Sequence, residues 1–288
     1  GMRDVSIPLY LKALRLQADN DAVHFKLAED YRLNNQTDRA LVHYRECLKI
    51  DSEDPYGVSL KLYLLDGTPF TNNFPIKYVE RLYNQYAPHF EKNLVDVLAY
   101  SAPQTSFNLF KKHKIQPQKI LDLGCGTGLS SLPYKSSAQI IHGVDISSVM
   151  LEQAKLKNIY KELHQENVET YLNKCADKYD LIIALDLLIY IADLDNFFSS
   201  VLKVMNEKSY LTFSIQLSDQ ECLLGEDHRF WHSHLYIMNI LQKYGLLLID
   251  NQDVSTNLFT DANGLVTFNL DPSQTNDMII TITKQDYK

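Results

Sequence analysis

Ten residues constrain this chain more than any other stretch: Lys119-Ile-Leu-Asp-Leu-Gly-Cys-Gly-Thr-Gly128. Ile120, Leu121 and Leu123 are apolar and surround Asp122, as a strand covered on both faces of a parallel sheet requires. The strand runs straight into Gly124, Gly126 and Gly128, which predicts a tight turn leading into a helix. Glycine tolerates the positive φ of such turns and lets the backbone approach a ligand whose space a side chain would occupy. A dinucleotide fingerprint, G-x-G-x-x-G, would place its third glycine at position 129, which is Leu, so the spacing disfavours NAD or FAD. A glycine-rich strand-to-helix turn also occurs without a ligand, so the residues that follow have to decide.

Gln139-Ile-Ile-His-Gly-Val-Asp145 reads as a second short strand, and Asp145 lies 21 residues after Gly124. At that distance a carboxylate sits at the strand tip and, being only an acceptor, can take both hydroxyls of a ribose; the alternative is a solvated loop group. At Asp122-Leu-Gly-Cys-Gly-Thr-Gly128 the chain resembles motif I of the class I S-adenosylmethionine-dependent methyltransferases. Val144-Asp-Ile-Ser-Ser-Val-Met-Leu-Glu-Gln-Ala154 is similar to that family's D-x-S-x-x-M-L-x-x-A. The resemblance implies S-adenosylmethionine as cofactor and S-adenosylhomocysteine as product, held by Asp122, Gly124, Cys125, Gly126, Gly128, Asp145 and Ile146. Ser147 is expected to cap a helix whose Met150 and Leu151 face inward, Met150 as a soft contact for adenine.

Leu163 to Leu172 stand where the third strand and its turn belong. The family often has Asp at the position of Asn167, against the adenine amino group. The Asn167 carbonyl oxygen still accepts, Glu166 is the alternative, and Val168 completes the implied contacts. Tyr179-Asp-Leu-Ile-Ile-Ala-Leu-Asp-Leu-Leu-Ile-Tyr190 contains the fourth strand as an unbroken apolar run. From Asp186 through Tyr190-Ile-Ala-Asp-Leu-Asp195 it resembles the D-V-x-x-Y-x-G-D-L phrase of a bacterial group of predicted methyltransferases that carry tetratricopeptide repeats, with Ala192 where that group usually has Gly. Asp186 and Tyr190 are then expected at the carboxyl end of the sheet, Asp186 toward the cofactor and Tyr190 toward catalysis; a helix cap and a core ring are the other readings. Ser209 to Gln216 read as the fifth strand and Leu217 to His232 as a polar loop. That loop ends in Arg229-Phe-Trp-His-Ser233, which resembles the R-Y-x-H-S phrase of the same group. His232 is the second catalytic candidate, facing the pocket or stacking on Trp231, and Ser233 is expected to cap a helix through Tyr244. His228, His232 and His234 have no further ligand cluster beside them, so no metal is expected. Leu246–Ile249 and Met278–Thr283 supply the last two strands, the final one an antiparallel edge.

The chain opens with an internal repeat. Tyr10, Ala13, Leu16 and Ala18 recur 34 residues later as Tyr44, Cys47, Ile50 and Ser52. That period resembles the tetratricopeptide repeat, with Leu27, Ala28, Tyr31, Ala40 and Tyr44 at its packing positions. One full repeat and two halves make either a groove for a protein partner or a helical cap or dimerisation arm. Leu65 to Pro75 read as a linker. Tyr83-Asn-Gln-Tyr-Ala-Pro-His-Phe90 is similar to the Y-D-x-x-A-x-x-Y/F segment that lies over the cofactor in many small-molecule methyltransferases, which implies that Tyr83 and Tyr86 belong to a lid; core packing of the same helical face is the alternative.

The expected architecture is α/β: a Rossmann-like seven-stranded class I methyltransferase domain over residues 93–288, a small all-α tetratricopeptide-like module over 1–67, and a linker and lid segment over 68–92. The formal charge of −8 leaves no basic face for phosphates, so nucleic acid is not an expected partner. There is no apolar run of membrane-spanning length and no C-x-x-C pair among the 4 cysteines, so no membrane partner, reduced thiols and a cytoplasmic location are expected. The expected activity is methyl transfer to an oxygen or nitrogen of a small molecule, a protein being the less favoured acceptor. The alternative is a catalytically silent methyltransferase fold that binds a partner through its repeats.

Overall fold

A computed structural model describes residues 2–70, 73–92, 94, 100–225, 227–253, 258–260, 266–268 and 277–284. It divides into two compact units, Gly1–Leu82 and Tyr83–Lys288. The division falls inside a helix, whereas the expected module boundary at 67 falls on Gly67, whose left-handed backbone (φ 72°) ends the preceding helix.

The first unit is helical: α1 (Met2–Leu16), α2 (Asp21–Leu33), α3 (Thr37–Ile50), α4 (Val58–Asp66) and the start of α5 (Ile76–Glu91). Asn20 caps α2 by accepting from the Val23 N–H, one of the donors a helix start leaves unpaired. Leu27, Ala28 and Tyr31 of α2 bury against Ala40, Tyr44 and Cys47 of α3 and Val58 and Leu62 of α4. The spacing of these positions produces one apolar stripe per helix, which is why the pair closes. Glu29 collects the Tyr44 hydroxyl, Arg32 at 3.0 Å and Lys61 at 3.2 Å within this bundle.

The second unit adds α6 (Ala102–Lys112), then β1 (Lys119–Leu123), β2 (Ile140–Asp145), α7 (Ser148–Leu156), β3 (Glu162–Gln165), α8 (Val168–Lys174) and β4 (Tyr179–Ala184). After these come α9 (Asp195–Val204), β5 (Met205–Leu217), β6 (Cys222–Leu224), β7 (Phe230–His232), α10 (His234–Lys243), β8 (Leu246–Asp253), β9 (Leu258–Thr260), β10 (Val266–Phe268) and β11 (Asp277–Lys284). The main sheet runs β3-β2-β1-β4-β5-β11-β8, parallel except for β11, which is antiparallel to β5 and β8. The order reverses at β1, which pairs with β2 on one side and β4 on the other. In such sheets the crevice at the carboxyl ends of the strands beside the reversal is where ligands bind.

Alternate residues of each strand feed two layers. Leu121, Leu123, Ile182, Leu211, Phe213 and Ile215 pack with Phe197, Phe198, Val201, Ile237 and Leu241 of α9 and α10. Ile120, Leu181 and Ile183 pack with Leu109 and Phe110 of α6 on the other face. Among the described residues no helix is long and apolar enough to cross a membrane.

Three expectations are corrected. The final strand is antiparallel but is not an edge: β11, with Ile280 and Ile282 buried in the core, lies between β5 and β8, and β8 ends the sheet on that side. The helix expected directly after Gly128 is replaced by a 3-10 turn at Leu132–Tyr134, because Pro133 lacks an N–H to donate and the next strand starts at Ile140. The polar stretch 217–232 is not all loop: β6 and β7 form an antiparallel hairpin, and β7 pairs with the end of β5.

Candidate functional site

The glycine turn is built as its spacing requires. Gly124, Gly126 and Gly128 have φ of 67°, 52° and 91°, a region that favours glycine. The Gly124 and Cys125 N–H groups donate to the Val144 carbonyl at 2.8 and 3.0 Å, tying the turn to the end of β2. A Cβ at Gly128 would stand 2.9 Å from the Tyr160 ring, so that position is closed by packing as well as by φ. The space above Gly126 is bounded by the Phe90 ring, 3.8 Å from where its Cβ would be.

Two carboxylates flank the turn, both buried. Asp145 Oδ2 accepts the Gly126 N–H and Oδ1 the Ser147 N–H, each at 2.8 Å. Desolvation raises its pKa and the backbone donors of Ser147, Gly126 and Ile146 oppose that rise. Asp122 is fully enclosed. Its Oδ2 accepts from Ser131 Oγ at 2.6 Å and Tyr160 Oη at 2.7 Å, while Oδ1 has no partner among the described residues. Burial pushes the Asp122 carboxyl up to about 7, against the two hydroxyl donors and with added repulsion from Asp145. An enclosed acceptor without a donor is a place for a cationic group, and two carboxylates whose oxygens have lone pairs left suit an ammonium and a diol. Glycines, orphaned acceptor and strand-tip carboxylate therefore fit a nucleoside carrying an amino-acid tail.

Residues 83–91 of α5 lie over α7. Ser147, which caps α7 by accepting from the Met150 N–H at 3.1 Å, donates its hydroxyl to Asn84 Oδ1 at 2.7 Å. Gln153 Nε2 donates to the Ala87 carbonyl at 2.8 Å, and Lys157 pairs with Glu91. Tyr83, Tyr86 and Phe90 form an edge-to-face aromatic group, with centroids 6.2 Å apart for Tyr83 and Phe90 and 5.6 Å for Tyr86 and Phe90. Tyr83 also meets Tyr190, their hydroxyls 2.7 Å apart. Enclosure first, and Tyr190 second, raise the Tyr83 hydroxyl well above the usual phenol range.

At the tip of β4, Asp186 adopts φ 55° and is held by Ser214: its N–H donates to Ser214 Oγ at 2.7 Å, and Ser214 Oγ lies 3.1 Å from Asp186 Oδ1. The structure thus brings together Tyr83, Tyr86, Asp186 and Tyr190 around one end of the sheet, beside the turn that holds Gly124, Gly126, Gly128 and Asp145. Cys125 is buried with its thiol raised well above its ordinary value by enclosure and the two neighbouring carboxylates.

Other expected residues sit differently. Asn167 uses its side-chain oxygen to cap α8, accepting from the N–H groups of Glu169 at 3.0 Å and Thr170 at 3.2 Å. Val168 opens that helix and packs into the core, Ile146 is half-buried beside Asp145, and Met150 is fully enclosed. His232 is fully buried, stacks on Tyr236 rather than Trp231, and places Nε2 3.4 Å from the Leu188 carbonyl. Burial lowers its pKa, so the ring is neutral at pH 7. Sequence reasoning missed Tyr160, Ser131, Asn84 and Ser214. Of these only Asn84 carried a signal, as the second residue of the lid phrase.

A family model described as a methyltransferase domain matches residues 92–251. Among curated proteins the chain is similar to a ubiquinone biosynthesis O-methyltransferase of Bartonella quintana, 24% identical over 163 residues that make 50% of this chain and 66% of that protein. It is also similar to a chloroplastic magnesium protoporphyrin IX methyltransferase of Arabidopsis thaliana, 31% identical over 96 residues, 32% of this chain and 30% of that one. The chain thus spans less than two thirds of the length of these relatives. Among solved structures it resembles an S-adenosylmethionine-dependent methyltransferase from Clostridium acetobutylicum, with a TM-score of 0.52, 17% identity, and coverage of 71% of this chain and 100% of the other. That likeness is one of fold.

Proposed function

Because the chain belongs to the class I S-adenosylmethionine-dependent methyltransferase family, whose domain covers residues 92–251, we propose that it transfers a methyl group to an oxygen or nitrogen of a small molecule. The observation that carries this reading is the pair Asp122 and Asp145 around the three positive-φ glycines, an acceptor-rich cradle with one acceptor still unpaired. S-Adenosylmethionine, when bound, supplies an activated methyl group on its sulfonium. Asp145 takes the ribose hydroxyls with its remaining lone pairs, and Asp122 Oδ1 faces the need for a cationic partner. Tyr83, Tyr86 and Phe90 exclude water from above, pinned by Asn84 and Gln153 to α7.

The chain's own task in the transfer is alignment, since reacting atoms held near contact distance remove much of the barrier. Tyr190 is the group we place against the acceptor. With Tyr83 kept neutral by enclosure, the Tyr83–Tyr190 pair donates and orients. Asp186, held by Ser214, is the carboxylate on this side. His232 shapes the segment that carries Tyr190, since it reaches the Leu188 carbonyl two residues earlier. A small acceptor agrees with the names of the two curated relatives, both of which act on small molecules by those names. We also read the first unit as tetratricopeptide-like, on its 34-residue period and the burial of Leu27, Ala28, Tyr31, Ala40 and Tyr44, and as a site for a protein partner; the free cysteines suit a cytoplasmic location.

Calorimetric titration of the purified chain with S-adenosylmethionine and with S-adenosylhomocysteine tests the reading. Saturable binding of both is expected. A folded protein that binds neither would remove it.

A further inference from the structure

Gln216 is fully buried near the end of β5, and neither its Oε1 nor its Nε2 has a hydrogen-bond partner among the described residues. An amide placed so leaves a carbonyl and two N–H donors unmet, and each buried unpaired group costs about 1–3 kcal/mol. The strand shows where this side chain faces. Ile215 and Leu217 pack into the layer of α9 and α10, so the alternate row Tyr210, Thr212, Ser214 and Gln216 faces the opposite layer. Along that row Tyr210 meets Phe110, Thr212 meets Ser106 and Ser214 meets Asp186. Gln216 is the next position of that row toward the carboxyl end, one step beyond Ser214 and the Asp186 that Ser214 holds. The charges of Asp186 and Arg229 both act on the Tyr83 hydroxyl, which marks these groups as neighbours.

We propose that Gln216 binds the methyl acceptor through an uncharged, paired hydrogen-bond edge, one donor and one acceptor in the plane of a flat molecule. This rests on the methyltransferase reading above and names the substrate class for the same site. The amide carries no charge. It therefore matches a hydroxyl beside another oxygen or nitrogen, and it matches a carboxylate or phosphate poorly, because its carbonyl would oppose the anion. The aromatic groups at Tyr83, Tyr86, Phe90 and Tyr190 favour a flat ring as the body of the same molecule. A site built to pair a donor and an acceptor rejects an analogue that lacks them, so Gln216 sets specificity.

The test uses the full chain saturated with S-adenosylhomocysteine and two probes built on one ring, catechol and its bulkier dimethyl ether, which has lost both donors. Catechol is expected to bind and raise Tm, and the ether to bind at least about 10-fold more weakly, since its oxygens still accept from the amide N–H but nothing donates to the buried Gln216 carbonyl. In Gln216→Leu, S-adenosylhomocysteine affinity should be unchanged and Tm equal or higher, since an unpaired amide has been removed, while catechol loses its advantage over the ether. If that variant fails to fold, Gln216→Met keeps the length of the side chain with neither donor nor carbonyl, and should lose the catechol preference with the cofactor product still bound. Equal binding of both probes to the native chain, no catechol binding at all, or retention of the catechol preference in the variants would overturn the proposal. Failure of S-adenosylhomocysteine to bind the native chain would instead strike the methyltransferase reading.

Discussion

The two sides of the ligand-binding end of the sheet are satisfied in different ways. At the glycine turn, beside β1 and β2, the strand-tip carboxylate is held by backbone donors, Asp145 by the N–H groups of Gly126 and Ser147, and only the enclosed Asp122 behind it takes side-chain hydroxyls, those of Ser131 and Tyr160. Beyond β4 and β5 the groups are held by one another through side chains, as in Tyr83 with Tyr190 and Asp186 with Ser214, and Gln216 is held by nothing described. A side fixed by backbone donors can serve only a ligand of one shape. A side fixed by side-chain pairs changes its ligand with a few substitutions, which is how one fold serves many acceptors.

If that contrast is right, the largest effect should appear at Asp122. Its carboxyl is raised from its ordinary range to about 7, so the folded chain holds a proton that the unfolded chain releases. The stability from this group is fully present below about pH 4 and is lost as pH rises through 7, a change of about 4 kcal/mol as an upper bound for roughly three units. Denaturant titrations of the ligand-free chain across that range should show the decline, and Asp122→Asn should flatten it. An unaltered slope in the variant would mean that the enclosure of Asp122 does not control it. Next in size, Asp145→Ala should weaken S-adenosylmethionine about 100-fold or more, as the loss of hydrogen bonds to a charged group implies, measured by calorimetry. Affinity within a factor of two of the native chain would break the assignment of the backbone-held side.

Gly143 gives a smaller effect on the same side. It stands opposite Asp122 in β2, and a Cβ there would lie 2.7 Å from Leu163 Cδ2 and 2.9 Å from both Cys125 Sγ and Tyr160. Gly143→Ala should cost about 1–3 kcal/mol by overpacking, read as a lower Tm with an unchanged denaturant slope. The smallest belongs to the side-chain-held side. Tyr83→Phe removes one hydroxyl of the 2.7 Å pair and should cost about 1 kcal/mol, raising the KM for acceptor more than the affinity for S-adenosylhomocysteine falls. Equal losses of both would show that the two sides are not separable.

The same division decided what could be read from the chain. Asp122, the three glycines, Asp145 and the Ser147 cap follow from local spacing, because a strand, a turn and a helix start are short-range structures. The buried strand β4 was legible for a similar reason, as an apolar run of the right length. Tyr160 was not: it reaches Asp122 from 38 residues away in sequence, and nothing in its neighbours marks that contact. Asn167 was legible as a polar group after β3, but whether its oxygen meets a ligand or its own helix depends on the backbone angles that made it a cap. The β6–β7 hairpin escaped because its strands have only three residues each, too few for alternation to declare itself. At Gln216 the alternation predicts a face, but the absence of partners arises only when the strands, helices and lid are assembled.

The void that Gly143 leaves in β2 has a chemical consequence. It is occupied from one side by Cys125 Sγ, so the thiol is sealed between strand, turn and the Tyr160 ring, and its ionisation is strongly suppressed. An alkylating reagent added to the native chain reaches the exposed Cys222 without any opening, slowly because desolvation pushes that thiol up to about 11, and Cys125 only when the turn lifts away from the strand. The rate at which Cys125 is labelled therefore works as a clock for the opening of the glycine turn, and a bound nucleoside should stop it.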